Sequence, residues 1–286
     1  MASDKRLTGT TTPQESATRR ESGRLLDSGL ADSKTRPFGM GQGARVRLGR
    51  IGFWYRLAIV LLKPPLLVLT KRRWRGFENV PKQGGVIVAA NHISHVDPIC
   101  LGDAIAFGTR RMPKYLAKAS LFKGNGLVGR TMRGSGQIPV HRKTTDAAAA
   151  LKDAVDALRR GELIAIYPEG TVTRDPDKWP MVARTGVARL ALLSGAPVVP
   201  VAQWGAQEIL DSYRTPGLHL LPRHTIEVVA GPPVDLSAWQ GKEPTAEVLH
   251  QATEAIMTAI RQLLEQVRGQ SAPAHVHDPD EDRQSA

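Results

Sequence analysis

Gly85–Ala106 reads GVIVAANHISHVDPICLGDAIA, and strand, turn and helix follow one another within it. Gly85 to Ala90 is a continuous apolar run of strand length, with no polar position to mark a solvent-facing side. Asn91 to Asp97 is a polar turn, and Pro98 to Ala106 opens a helix. The same alternation recurs along the chain. Further strands are expected at Tyr115–Ala119, Gln137–His141, Leu163–Tyr167, Pro197–Ala202 and Thr225–Ala230, and further helices at Asp146–Arg160, Thr185–Ser194 and Pro244–Val267. Short β-branched runs alternating with longer helical patterns argue an α/β fold. In the second helix Ala149, Leu151, Ala154, Val155 and Leu158 recur at helical spacing, and Gly161 supplies a stop. In the last, Val248, Ala252, Ile256, Ile260, Leu263 and Leu264 form the apolar stripe.

Around this centre the composition sets limits. The chain has 286 residues, 41% of them hydrophobic and 23% charged, which allows a sizeable core and excludes a wholly disordered chain. Its 39 Lys and Arg against 27 Asp and Glu leave a net charge of +12, which calls for an anionic partner. A single cysteine, Cys100, excludes an intramolecular disulfide, and the polar N-terminus does not read as a secretory signal. Residues 1–44 and 269–286 are polar, lack apolar periodicity and are expected to be disordered tails. Residues 77–268 then form the α/β domain.

Residues 45–76 stand apart. Arg45, Arg47, Arg50, Arg56, Lys63, Lys71, Arg72, Arg73 and Arg75 occur there without one acidic residue. They are interleaved with Phe53, Trp54, Tyr55, two leucine-rich runs and Trp74, the anchors favoured at a membrane interface. Arg56, Lys63 and the pair Pro64-Pro65 divide the apolar run, so it is expected to lie in one leaflet rather than cross both. The segment reads as a basic amphipathic membrane-associating element. Its apolar content exceeds what a phosphate-tracking groove needs, so no nucleic-acid partner is expected.

The turn after the first strand carries the candidate chemistry. On one continuous helix His92 and Asp97 would lie about 140° apart. They meet only if His92 precedes the first turn, with Ser94 capping the helix and Asp97 at the place of a capping-box acid. The pair is then a base and its orienter: the carboxylate fixes the imidazole tautomer, and no activated Ser or Cys is needed if the substrate brings a hydroxyl. Downstream lie Gly136-Gln137-Ile138-Pro139-Val140-His141-Arg142, then Ile166-Tyr167-Pro168-Glu169-Gly170-Thr171, then Pro197-Val198-Val199-Pro200-Val201, each on or after a strand.

With His-x4-Asp, these blocks resemble, in the same order, those of the 1-acylglycerol-3-phosphate O-acyltransferase family of glycerophospholipid acyltransferases. The resemblance implies a mixed β-sheet flanked by helices. It also implies acyl transfer from acyl-CoA or acyl-carrier protein to a lysophospholipid hydroxyl, foremost 1-acyl-sn-glycerol-3-phosphate to give phosphatidate. His92 would be the general base and Asp97 its partner; Arg142 would bind the acceptor phosphate, and Glu169, Gly170 and Thr171 would help position the acceptor. Two departures stand out. His141 occupies the place of an acid before Arg142, and Val172 follows Thr171 where the family has Arg. Arg174 is then the candidate replacement. Another lysolipid or a glycolipid remains an alternative acceptor, and a non-catalytic lipid-binding protein of the same fold an alternative function. No metal or other cofactor is expected, and the cytoplasmic face of the membrane, peripheral or monotopic, is the expected location.

Overall fold

A computed structural model of the chain describes residues 52–140, 146–213 and 217–278, without the side chains of residues 146 and 147. The expected tail at 1–44, the first part of the basic segment, His141, Arg142 and residues 279–286 lie outside the described residues.

Seven strands form one sheet: β1 (Thr70–Arg75), β2 (Val86–Ala90), β3 (Pro113–Lys118), β4 (Ile138–Val140), β5 (Leu163–Ile166), β6 (Val198–Trp204) and β7 (His224–Ala230). Their order is β1-β7-β6-β2-β5-β3-β4, and every neighbouring pair is parallel except β6 with β7. The sheet is therefore mixed, and β2 lies at its centre.

The unbroken apolar run at 86–90 is explained by helices on both faces. Ile87 and Ala89 point to one side, with Ile164 and Val198, against α4 (Asp146–Arg159), α5 (Gly186–Ser194) and α7 (Ala246–Arg268). Val86, Val88 and Ala90 point to the other, with Leu163, Val199 and Ile226, against α2 (Asp97–Thr109) and α6 (Ala206–Ile209). All five residues of β2 are buried. In α7 the buried stripe is Leu249, Ala252, Ile256, Met257, Ile260 and Leu264; Thr245 caps its start, its hydroxyl accepting from the Val248 N–H, and Gly269 ends it in the left-handed conformation.

Three expectations change. The basic segment contributes an edge strand: β1 pairs in parallel with β7, and Arg73 and Arg75 bridge to Glu227 at 3.0 and 2.9 Å while Arg72 bridges to Asp103 at 2.9 Å. Part of its charge is thus used inside the protein. The second change is that α1 (Phe53–Leu69) runs straight through Lys63, Pro64 and Pro65 rather than breaking there. The prolines remove the donors to the carbonyls of Val60 and Leu61, both on an exposed stretch where no packing is lost. At about 1.5 Å per residue α1 is about 25 Å long, short of the roughly 30 Å hydrocarbon core. Among the described residues no helix is long and apolar enough to cross a membrane.

Finally, order continues beyond residue 268. The Arg268 guanidinium lies between the rings of Trp179 and Trp204, 4.0 and 4.3 Å from their centres. The Ala272 N–H donates to Glu265 at 2.7 Å and the Val182 N–H to the His277 carbonyl at 3.0 Å. Polar composition hides these contacts, because they are made by backbone groups and by aromatic rings distant in sequence.

Candidate active site

β2 ends beside β6, and the next residue, Asn91, continues the pairing with its side chain. Its Oδ1 accepts from the Gln203 N–H at 2.7 Å, its Nδ2 donates to the Gln203 carbonyl at 3.1 Å, and Gln203 Nε2 donates to the Asn91 carbonyl at 2.9 Å. The chain entering the turn is therefore fixed before His92 is reached.

His92 lies ahead of α2, as contact with Asp97 requires. Its Nδ1 is 2.9 Å from Asp97 Oδ2. The same oxygen accepts from the Ile93 and Ser94 N–H groups at 2.6 and 2.8 Å, and the carboxylate is fully buried at the first turn of α2. A carboxylate only accepts, so Nδ1 carries a hydrogen, and in the neutral ring the lone pair is then at Nε2. Asp97 Oδ1 has no protein partner among the described residues. Ser94 has a different task from the one expected: its hydroxyl accepts from the Val96 N–H and donates to the Leu210 carbonyl at 2.8 Å, so it ties the turn to the loop after α6 and does not cap α2. The reach of Asp97 back to the Ser94 N–H is the half of the capping box that forms.

The imidazole is stacked on Tyr167, with ring centres 4.1 Å apart and planes at 17°. Tyr167 in turn lies parallel to Tyr115 at 6.4 Å. Both phenols are pushed well above their ordinary range, first by burial, and remain protonated. Burial does the same to the Cys100 thiol, with Asp97 and Asp103 adding to the effect, so no thiolate nucleophile forms there. The side chain of His92 keeps 13% of its surface exposed.

Glu169 follows β5 in a turn closed by the Gly170 N–H donating to the Tyr167 carbonyl at 2.9 Å. Gly170 has φ +73°, which a side chain would strain. The Glu169 carboxylate points into the protein: Oε1 accepts from the His92 N–H at 2.8 Å and Oε2 from the Met181 N–H at 3.0 Å, leaving the residue 3% exposed. Burial raises its pKa to about 8, against the lowering effect of those two N–H groups. Both oxygens are engaged with backbone, so Glu169 positions the His92 turn and does not present itself to an acceptor. Thr171 is half-buried beside it.

Two residues on, the Thr173 N–H donates to the His92 carbonyl at 2.7 Å. Val172, at the place where the family has Arg, is buried. Arg174 is exposed on the rim of a polar cavity of about 340 Å³, with Thr173, Asp175, Lys178 and Tyr213 around it. Lys178 is held by Asp211 at 2.9 Å.

On the other side of Tyr115 lies an apolar groove of about 380 Å³. Ala58, Ile59, Leu62 and Leu66 of α1 form one wall, and Pro98, Ile99, Ala106 and Phe107 of α2 another, with Met132 of α3 (Leu127–Gly134) and Tyr115 also lining it. Tyr115 donates to the Pro98 carbonyl at 2.8 Å, so the groove wall and the turn that carries His92 and Asp97 are one connected unit. The imidazole is thus linked through Tyr167 and Tyr115 to an apolar groove and through Thr173 to a polar cavity that contains Arg174. Of the residues singled out in the sequence, the structure brings His92, Asp97 and Glu169 together, sets Gly170 and Thr171 beside them and Arg174 at the polar cavity, and Arg142 lies outside the described residues. The sequence reading missed Asn91, Gln203, Tyr115 and Tyr167. Only Asn91, directly preceding the histidine, and Tyr167, directly preceding Pro-Glu-Gly, carried any signal by position.

A family model described as Acyltransferase matches residues 71–204, just under half of the chain. The 1-acyl-sn-glycerol-3-phosphate acyltransferase of Bacillus subtilis (strain 168) is 28% identical over 189 residues, covering 65% of this chain and 84% of that protein. The protein of the same name from Borreliella burgdorferi is 36% identical over 128 residues, 44% of this chain and 48% of its own, so the chain spans about half the length of that relative. In fold the chain is similar to the crystal structure of the 1-acyl-sn-glycerophosphate acyltransferase PlsC from Thermotoga maritima, with a TM-score of 0.55 at 22% identity, covering 77% of this chain and 83% of that one.

Proposed function

We propose that the chain, which is similar to 1-acyl-sn-glycerol-3-phosphate acyltransferases and matches an Acyltransferase family model over residues 71–204, is an O-acyltransferase that acylates the free hydroxyl of a lysophospholipid, foremost 1-acyl-sn-glycerol-3-phosphate, from acyl-CoA or acyl-carrier protein. The observation that carries the reading is the connection of His92, through Tyr167 and Tyr115, to an apolar groove and, through Thr173, to a polar cavity holding Arg174, since a lysophospholipid has one end suited to each.

In the proposed step the acceptor hydroxyl gives its proton to His92 Nε2 while its oxygen attacks the thioester carbonyl. The C–O bond forms, the C–S bond breaks, and the departing sulfur takes the proton back from the imidazolium. Asp97 holds the ring in the required tautomer and stabilises the transient positive charge. A long acyl chain contributes about 0.8 kcal/mol per buried methylene, on the order of 12 kcal/mol for a sixteen-carbon chain, so such a substrate stays in the bilayer. The enzyme must come to it. We place it on the cytoplasmic membrane face, held peripherally by α1, whose apolar residues border the groove.

One observation favours a second acceptor reading. With Val172 buried, the cation that the family places there is missing, and Arg174 stands at the edge of the polar cavity instead. An acceptor whose phosphate carries a further headgroup would suit that displaced charge. A thiol-release assay across lysophosphatidate, lysophosphatidylglycerol, lysophosphatidylethanolamine and a glycolipid alcohol decides between them. Fastest release with lysophosphatidate, with KM for that acceptor raised about tenfold in Arg174→Ala, supports the first reading. Fastest release with another acceptor moves the assignment to it, and no release with any of them contradicts the proposal.

A further inference from the structure

We infer that Gly217–Arg223 is a second membrane-insertion element, locked to the end of α1, and that the two enter one leaflet together. The inference rests on the lipid-acylating reading above for its purpose, but on separate observations for its location. Every residue from Gly217 to Arg223 is exposed, and the stretch contains three leucines and no acid. Leu218, Leu220 and Leu221 are 62%, 37% and 78% exposed and stand within four positions of one another, a cluster rather than scattered single side chains.

The loop is not free to move away from α1. Arg223 donates through Nη2 to the Leu67 carbonyl at 3.1 Å and to the Thr70 carbonyl at 2.8 Å, filling acceptors that the end of the helix leaves open. Next to those carbonyls Leu67 and Val68 are themselves exposed, Val68 to 66%. Leu221 is two residues from Arg223, so the aliphatic side chains of the loop and of the helix end belong to one neighbourhood. Exposed Lys63 and Lys71 flank it on the α1 side, and no acid occurs between Gly52 and Arg75. Apolar side chains bordered by lysines fit a leaflet with anionic headgroups, where the aliphatic groups insert and the ammonium groups stay at the phosphate level.

The same segment leads to the reacting group. Upstream of the loop, the Leu210 carbonyl accepts from the Ser94 hydroxyl, and the Ser212 hydroxyl accepts from the His95 N–H at 3.2 Å. An element seated in the leaflet by its leucines is therefore attached, at its other end, to the turn that carries His92.

The test is partition of the purified full chain onto vesicles of phosphatidylcholine containing one part in three phosphatidylglycerol (a mixture of roughly that charge suffices), with the double variant Leu218→Ser/Leu221→Ser beside the wild type. The expected result is a partition coefficient at least tenfold lower in the variant, with an unchanged thermal midpoint and unchanged thiol release from a water-soluble short-chain donor and acceptor. Equal partition of variant and wild type overturns the inference, as does a wild type that does not bind vesicles. So does a variant that changes only from dimer to monomer, which would make the patch a contact between copies. If the wild type binds vesicles and the variant does not, yet neither releases thiol, the insertion element stands and the acylation reading fails.

Discussion

Burial and hydrogen bonding act in opposite senses on Glu169, and burial is the larger effect. Its pKa of about 8 in the folded chain exceeds the ordinary 4.5, so the folded state binds that proton more tightly than the unfolded state does. Stability from this group is present below about pH 4.5 and is lost as pH rises through about 8. The thermal midpoint of the wild type should therefore fall across that window relative to Glu169→Gln, which has no titrating group there. Parallel midpoint curves for the two proteins would show that the carboxyl does not titrate in this range. At this scale the His-x4-Asp spacing and the Pro-Glu-Gly block identified the central residues, because their pairing is set by one turn. The contacts that hold them are of another kind. Asn91 and Gln203 are 112 positions apart, and the stack of His92 on Tyr167 joins two strands, so neither follows from local spacing.

Among the elements, the six strands expected from apolar runs are all present, with ends shifted by up to two residues, and so are the four expected helices. The seventh strand, β1, was hidden because Thr-Lys-Arg-Arg-Trp-Arg has neither an apolar run nor a clean alternation. An edge strand needs less burial and tolerates outward charge, which also discourages pairing with another chain. The chain leaves β1 through Gly76 at φ +76°, and a Cβ there would come within 1.9 Å of the Ala230 carbonyl oxygen. Gly76→Ala should lower the unfolding free energy by about 1–3 kcal/mol, read as a lower urea midpoint. An unchanged midpoint would mean that the end of β1 is not packed against β7 in this way. The continuity of α1 was also hidden, because proline is read as a helix breaker unless the face it exposes is known to be unpacked.

For the whole molecule, the positive charge that first suggested an anionic partner divides into two uses. Arg72, Arg73 and Arg75 pair with acids of the fold, whereas Lys63 and Lys71 remain on the outside of the α1 region. The division could not be read from composition, since it depends on which strand the basic run joins. The mixed sheet then places the His92 turn at the end of its central strand, joined through Tyr167 and Tyr115 to the groove bounded by α1 and α2 and through Thr173 to the polar cavity. The proposed acyl transfer needs a proton acceptor at one atom, His92 Nε2. Thiol release from acyl-CoA by the purified chain on vesicles containing lysophosphatidate, compared between wild type and His92→Ala, measures it directly. The wild type should release one thiol per phosphatidate formed and the variant should be slower by about 10²-fold or more; a variant as fast as the wild type would remove the imidazole from the reaction.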